Sequence, residues 1–188
     1  KYNQIENLLS NYYGTSIFLL PLDEISSKIK ENVWIKNIKI SINYKNNVII
    51  DIIEYSPIGI FNFNNKLFYF DSTGNIIDEY FSNNLENNEF IIFSGKSSNK
   101  RANDILKVID SFDNKLVNNI LNLELIEQRR WNILLKNNII IQLSEENPYE
   151  SLKNYKKILK NLSKAQINNI INIDLRNLSK SILKYKND

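Results

Sequence analysis

Four carboxylates near the ends of predicted strands are the side chains best placed to do chemistry. They are Glu54, Asp71, Asp78 and Asp174. Two facing carboxylates can act as general acid and general base, as in glycoside hydrolysis. Carboxylates at strand ends more often cap turns or face water, and no spacing in the sequence pairs any two of these four. An enzyme that relies on carboxylates alone is therefore the weakest of the functions that the sequence leaves open.

Composition excludes most other catalytic chemistry. The chain has no His and no Cys, so it cannot form Ser-His or Cys-His nucleophiles, an HExxH zinc site or Cys-ligated metals. Its 4 glycines are isolated, so no GxGxxG or GxxxxGK[ST] phosphate loop exists. The acidic residues also lack EF-hand spacing. We therefore expect no catalytic residue, no cofactor and no metal, and predict a scaffold that binds other proteins.

The overall charge argues against a nucleic-acid partner. The 24 basic and 21 acidic residues give a net charge of +3, whereas nucleic-acid binding normally requires a dominant basic face. The stretch from Lys153 to Lys186 is more basic than the rest. A solvated helix face is the simpler explanation for it, and a site for an anionic surface is the alternative.

No segment of the sequence is apolar for long enough to span a bilayer. The longest apolar run, Ile17 to Leu22, is far shorter than the roughly 20 residues required. Because the chain contains no Met, we expect it to start downstream of its initiator. The sequence leaves open that a signal peptide or membrane anchor was removed before Lys1.

Periodicity in the N-terminal part predicts two helices followed by a hairpin. Apolar spacing favours a helix over Tyr2–Tyr13 and a second that starts at Pro21, with Asp23 as its N-cap. Alternation at Ile38, Ile40 and Ile42, followed by the run Val48–Glu54, predicts two strands. Pro57 and Gly59 then interrupt the pattern and mark a domain boundary.

Strands dominate after this boundary. The predicted strands are Lys66–Asp71, Asn75–Ile77, Phe90–Phe93, Asn122–Leu125, Arg130–Leu135, Ile139–Leu143, Ile167–Leu175 and Ser179–Tyr185. Helices are predicted over Asn99–Leu116 and from Pro148, which suits a first helical turn. The fold class is therefore α+β: a small domain of two helices on a short sheet at 1–57, then a larger mixed or antiparallel β domain with flanking helices at 58–188.

The predicted C-terminal strand suggests a working surface. A strand with no later chain to cover it often lies at a sheet edge, where its backbone groups can pair with a strand of another protein. Lys180, Lys184 and Lys186 would discourage self-pairing and favour an acidic partner. An edge that is protected by charge and binds nothing explains this stretch equally well.

Five segments of the sequence form an ordered set of motifs: Ile17–Leu19 with Asp23 and Val33–Ile40, then Ile53–Gly59, Leu67–Ile77, Arg130–Leu135 and Ile173–Arg176. In this order they resemble the FtsQ/DivIB family of bacterial cell-division proteins. Val33 stands where the family usually has Pro, and Asn177–Lys180 replaces an aromatic or Gly-containing segment. The usual first strand of the family's POTRA domain is expected to precede Lys1.

The resemblance implies the extracytoplasmic (periplasmic) part of a single-pass inner-membrane protein without catalytic activity. It implies a POTRA domain followed by a β domain whose C-terminal strands bind FtsB/FtsL-type partners, partly by β-augmentation, with Arg176 paired to an acidic partner residue. The POTRA domain could dock further division proteins. We predict that the binding edge consists of Arg176, Asn177, Leu178, Ser179, Lys180, Ser181, Ile182 and Leu183. A POTRA-containing chaperone for outer-membrane or secreted substrates is the alternative.

Overall fold

Two helices begin the chain in the computed structural model, which describes residues 2–43, 45, 47–81, 90–112 and 114–186. Helix α1 spans Tyr2–Ser10, and helix α2 spans Leu22–Lys30 after a 3-10 turn at Ile17–Leu19. Ile25 and Ile29, one turn apart on α2, are 3% and 2% exposed, as expected for an i, i+4 pair on one apolar face.

Asp23 does not cap helix α2, so that prediction is wrong. The helix begins earlier, with Pro21 at the N-cap and its carbonyl accepting from the Ile25 N–H at 3.0 Å. Asp23 instead lies in the first turn, where a negative charge is favourable beside the free N–H groups of the helix.

A hairpin follows, as the alternation predicts. Strands β1 (Ile35–Ile42) and β2 (Val48–Glu54) are antiparallel and form a two-stranded sheet. These helices and strands belong to the first of two compact units, Lys1–Ser56, and the remaining elements belong to the second, Pro57–Asp188.

The second unit is built on a nine-stranded sheet with the order β11-β10-β9-β8-β7-β6-β3-β4-β5. Its strands are β3 (Pro57–Phe63), β4 (Lys66–Asp71), β5 (Ile76–Glu79), β6 (Ile92–Ser94), β7 (Ile120–Ile126), β8 (Arg130–Leu135), β9 (Ile140–Leu143), β10 (Ile170–Leu175) and β11 (Ile182–Tyr185). Its helices are α3 (Ser98–Asp110), α4 (Asn114–Val117), α5 (Pro148–Asn161) and α6 (Lys164–Asn169).

The core of this unit lies on one face of the sheet. Along β8, Trp131, Ile133 and Leu135 are buried, while the alternate residues are only partly covered. Helices α3 and α5 contribute buried residues such as Ile109 and Leu152 to the same cluster. The period of two in a strand therefore separates a helix-covered face from a more open one. The α+β fold class is confirmed.

Three predicted elements of this unit need correction. Helix Asn99–Leu116 is two helices separated by a turn, and the strand Ile167–Leu175 begins only at Ile170 because α6 occupies the preceding residues. The strand Ser179–Tyr185 begins only at Ile182. Strand β3 was not predicted, because Pro57 and Gly59 suggest a break rather than a strand.

Candidate partner-binding edge

Strand β11 lies at one end of the nine-stranded sheet and pairs antiparallel with β10. Asp174 is opposite Ile182, Ile173 is opposite Leu183, and Asn172 is opposite Lys184. Leu183 is partly buried against the core, whereas Ile182 is 53% exposed. The strand therefore holds itself to the domain by one set of alternate side chains and presents the other set to solvent.

The backbone of Leu183 faces the free side of β11. Just beyond the strand, the Lys186 N–H donates to the carbonyl of Asn169 at 2.8 Å, so it points towards the neighbouring chain segment. Backbone groups of successive strand residues point to alternate sides. Counting back from Lys186, Lys184 and Ile182 point towards β10, and Leu183 points away from it. Leu183 thus offers an N–H and a C=O at the edge where a further strand could add.

Residues 176–181, predicted as part of the edge, form the loop that reverses the chain between β10 and β11. Side-chain acceptors stabilise this loop: Asn177 Oδ1 accepts the Ser179 N–H at 2.9 Å, and Asp174 Oδ1 accepts the Arg176 N–H at 3.0 Å. Such bonds give the backbone an alternative to the sheet ladder. Of the predicted edge residues, only Ile182 and Leu183 lie in a strand, while Arg176, Asn177, Leu178, Ser179, Lys180 and Ser181 precede it.

Helices α5 and α6 anchor this hairpin near both ends. On α5, Ser151 Oγ donates to the carbonyl of Leu175 at 3.1 Å, and Asn154 Nδ2 donates to the carbonyl of Leu178 at 3.2 Å. At the other end, Lys186 Nζ donates to the carbonyl of Asn168, the next-to-last residue of α6, at 2.9 Å. The edge is therefore held in position before any partner arrives.

Arg176 is paired within its own chain. Its Nη2 lies 2.6 Å from Asp174 Oδ2, and its Nε lies 2.9 Å from Asp174 Oδ1. These hydrogen bonds lower the pKa of the Asp174 carboxyl and raise that of the guanidinium. The Arg176 side chain is 51% exposed against 16% for Asp174, so the cation stays accessible while its carboxylate is covered.

Two further arginines, which the sequence analysis did not identify as site residues, line a groove with Arg176. The groove encloses about 760 Å³, and its wall includes Arg129, Arg130 and Leu178 together with the acidic residues Glu127, Glu145 and Glu146. Arg129 bridges Glu127 and Glu145, each at 2.7 Å. Arg130 Nε is buried without a hydrogen-bond partner among the described residues. The register of the strands groups them, because β8 begins at the end of the sheet where β9 and β10 finish, and no pattern within a single strand of the sequence indicates this.

Two of the four candidate catalytic carboxylates have structural roles. Asp71 Oδ1 accepts hydrogen bonds from the Thr73 N–H, the Thr73 hydroxyl and the Asn75 N–H, which confirms that it caps a turn. Asp174 is paired with Arg176. Within the described ranges, no group of three or more acidic side chains is arranged to hold a metal ion, and no helix is long and apolar enough to cross a bilayer.

Both units match models of one protein family. Residues 1–55 match the FtsQ-type POTRA domain, and residues 60–176 match the C-terminal domain of the cell-division proteins FtsQ/DivIB. The chain belongs to the FtsQ/DivIB family. The second match ends at Arg176, so strand β11 of this family member lies beyond it.

Individual FtsQ proteins support the assignment along most of the chain. The cell division protein FtsQ of Rickettsia conorii is 33% identical over 150 residues, which are 79% of this chain and 54% of that protein. FtsQ of Rickettsia prowazekii is 31% identical over 179 residues, 94% of this chain and 64% of its own length. FtsQ of Bradyrhizobium diazoefficiens is 24% identical over 134 residues. The chain thus spans less than two thirds of the relatives that it matches.

Proposed function

We propose that this chain is the extracytoplasmic part of a non-catalytic division scaffold that binds FtsB/FtsL-type membrane proteins. In this proposal, an N-terminal anchor holds the scaffold at the inner membrane, and the outer side of β11 receives a strand of the partner. The observation that carries the proposal is the position of β11 at the end of the sheet, with the backbone of Leu183 directed outward.

β-Augmentation fits the properties of this edge. Main-chain hydrogen bonds supply affinity in that mode, and alternate side chains supply specificity. Leu183 offers the backbone groups, while the exposed side chain of Ile182 offers apolar surface on the open face. Because β11 has only 4 residues, it is too short to promote extensive pairing with the β11 strand of a second copy. The charge of Lys184 opposes such self-pairing further.

The charges near the edge favour an acidic partner segment. Arg176 is exposed on the loop before β11, and Lys180 and Lys184 are exposed beside it. Complementary charge of this kind increases the association rate and restricts the choice of partner.

Substitutions at position 183 separate the backbone contribution from that of the side chain. Leu183→Pro removes the outward N–H, at a position where an edge strand tolerates proline, while Leu183→Ala removes most of the side chain and keeps the N–H. We expect Leu183→Pro to weaken binding of a cognate FtsB-type peptide, titrated by calorimetry, about tenfold more than Leu183→Ala does. Equal affinities for the two variants would contradict augmentation at this edge.

A scan of the partner tests the same proposal without altering the fold. A series of FtsB-type peptides, each methylated at one backbone nitrogen, would be titrated against the unmodified chain. Added strands use every second backbone N–H, so affinity should fall at alternate positions. A scrambled peptide of the same composition is the control. A loss without alternation would exclude strand addition, and equal binding of the scrambled peptide would favour a chaperone-like function.

A further inference from the structure

An apolar pocket lies in the second unit, away from the β11 edge. It encloses about 280 Å³ between α4, α5, α6 and the turn that joins β8 to β9. Leu116 and Tyr155 in its wall are each 6% exposed, and Leu159 and Ile167 complete the apolar lining beside the helices. None of its lining residues belongs to β10, to β11 or to the loop between them. The pocket is therefore a separate concave feature, close to the smallest size of known ligand sites.

The rim of this pocket is basic. Lys115 from α4 and Lys156 from α5 line it, and the lining includes no acidic residue. The Lys156 ammonium group also lies 5.3 Å from the centre of the Phe112 ring. Helices α5 and α6 together contain five lysines and one acidic residue, Glu150, which lies 3.3 Å from Lys153. A ligand that enters the pocket thus meets apolar walls and a positive potential at the entrance.

The shape of the surface distinguishes a protein ligand from a membrane. A membrane-binding surface inserts apolar side chains that project from it. Here Leu116 and Tyr155 are buried in the pocket wall, whereas Lys115 is exposed and Lys156 is partly exposed, so the ligand must supply the projecting group. We propose that the pocket binds an acidic segment of a partner protein that inserts one large apolar side chain. Its carboxylates, on either side of that residue, would lie against Lys115 and Lys156.

Selection from a random peptide library displayed on phage, with the whole chain as bait, tests this proposal. We expect enriched peptides to share a Leu, Ile, Phe or Trp flanked by Asp or Glu. A double variant with Lys115→Glu and Lys156→Glu should weaken a selected peptide about tenfold. The matched control is Lys157→Glu with Lys160→Glu, which makes the same charge change on α5 outside the pocket lining. That control should change affinity by less than about threefold.

Three results would overturn the proposal. The first is a consensus without acidic or apolar residues, and the second is an equal loss of affinity in the two double variants. The third is the absence of any peptide consensus, combined with binding of the chain to vesicles of phosphatidylcholine and phosphatidylglycerol that the Lys115→Glu, Lys156→Glu double variant abolishes. The ligand would then be a lipid. Because no β11 residue takes part, any of these results would leave the edge proposal standing.

Discussion

Arg176 hydrogen-bonds the carboxylate of Asp174, two residues before it, through both Nε and Nη2. The family resemblance implies that this arginine meets an acidic residue of a partner protein. The intrachain bond means that such a residue must compete with Asp174 or share the guanidinium with it. If Arg176 contacts a partner as proposed, we expect Asp174 to reduce the strength of that contact.

Asp174→Asn should strengthen the binding of an acidic FtsB-type peptide. The amide oxygen can still accept the Arg176 N–H, but the opposing charge is lost and the guanidinium is released. We expect an affinity gain of about threefold, larger at low salt, measured by calorimetry at two salt concentrations. The gain should vanish when Arg176→Gln is added. A gain that persisted in the double variant would show that Arg176 is not the contact.

The same ion pair predicts a pH dependence of stability. Arg176 lowers the pKa of Asp174 in the folded chain below its unfolded value of about 3.9. The stabilisation is therefore complete above that unfolded value and is lost as the pH falls through the folded pKa. The free energies of unfolding of the unmodified chain and of Asp174→Asn, measured in urea, should differ at neutral pH and become equal in acid. A difference that persisted unchanged in acid would exclude the ion pair as its source.

Ile182→Ser should weaken partner binding with little effect on folding. The side chain is 53% exposed, so partner binding can still bury apolar surface worth roughly 1–2 kcal/mol, or about tenfold in Kd. Ile76→Ser, on the strand at the opposite end of the sheet, is the matched control because its residue is 49% exposed. An equal effect of the two substitutions on peptide affinity would exclude Ile182 as a specific contact.

Gly95→Ala should destabilise the second unit strongly. Its φ is +91°, and an added Cβ would approach the carbonyl oxygen of Leu125 closely enough to force the backbone apart. Left-handed strain and overpacking together suggest a loss of about 3 kcal/mol in the free energy of unfolding. Asn138, at φ 64°, already carries a Cβ, so Asn138→Ala should lower the free energy of unfolding by less than about 1 kcal/mol. Urea unfolding followed by Trp131 fluorescence would measure both.

Local sequence patterns predicted those helices and strands that are specified by their own residues rather than by contacts with distant segments. Two apolar segments on either side of the polar turn at 136–138 predicted β8 and β9, and Pro148 correctly marked the first turn of α5. Strand β3 was not predicted because Pro and Gly usually mark a turn, whereas here each has a structural reason to stand in a strand. Pro57 is the first residue of the strand, where proline is tolerated. A Cβ on Gly59 would come within 2.6 Å of the Phe93 ring, so packing rather than a turn requires glycine there.

The candidate site could be predicted only in part, because its geometry depends on contacts between distant segments. Sequence analysis suggested an edge strand around Ile182 and Leu183, and partner binding there remains a prediction. It could not show that Asn177 and Asp174 would hold residues 176–179 in a loop, or that Arg130 would line the same groove as Arg176. The parallel pairing of β9 with β10 places the ends of these strands side by side. Periodicity within one strand cannot predict this, because it carries no information about which strands are neighbours in the sheet.

The short strand β6 also determines how the large sheet can assemble. It runs parallel to β3 on one side and to β7 on the other, and it joins the β3–β5 group to the β7–β9 group. Each group consists of neighbouring hairpins that can form from nearby residues, whereas Ile92 of β6 pairs with Ile60 of β3, which is distant from it in sequence. Contacts between residues far apart in sequence form slowly. We therefore expect the placement of these 3 residues, Ile92–Ser94, to limit the folding rate, with two half-sheets present before it.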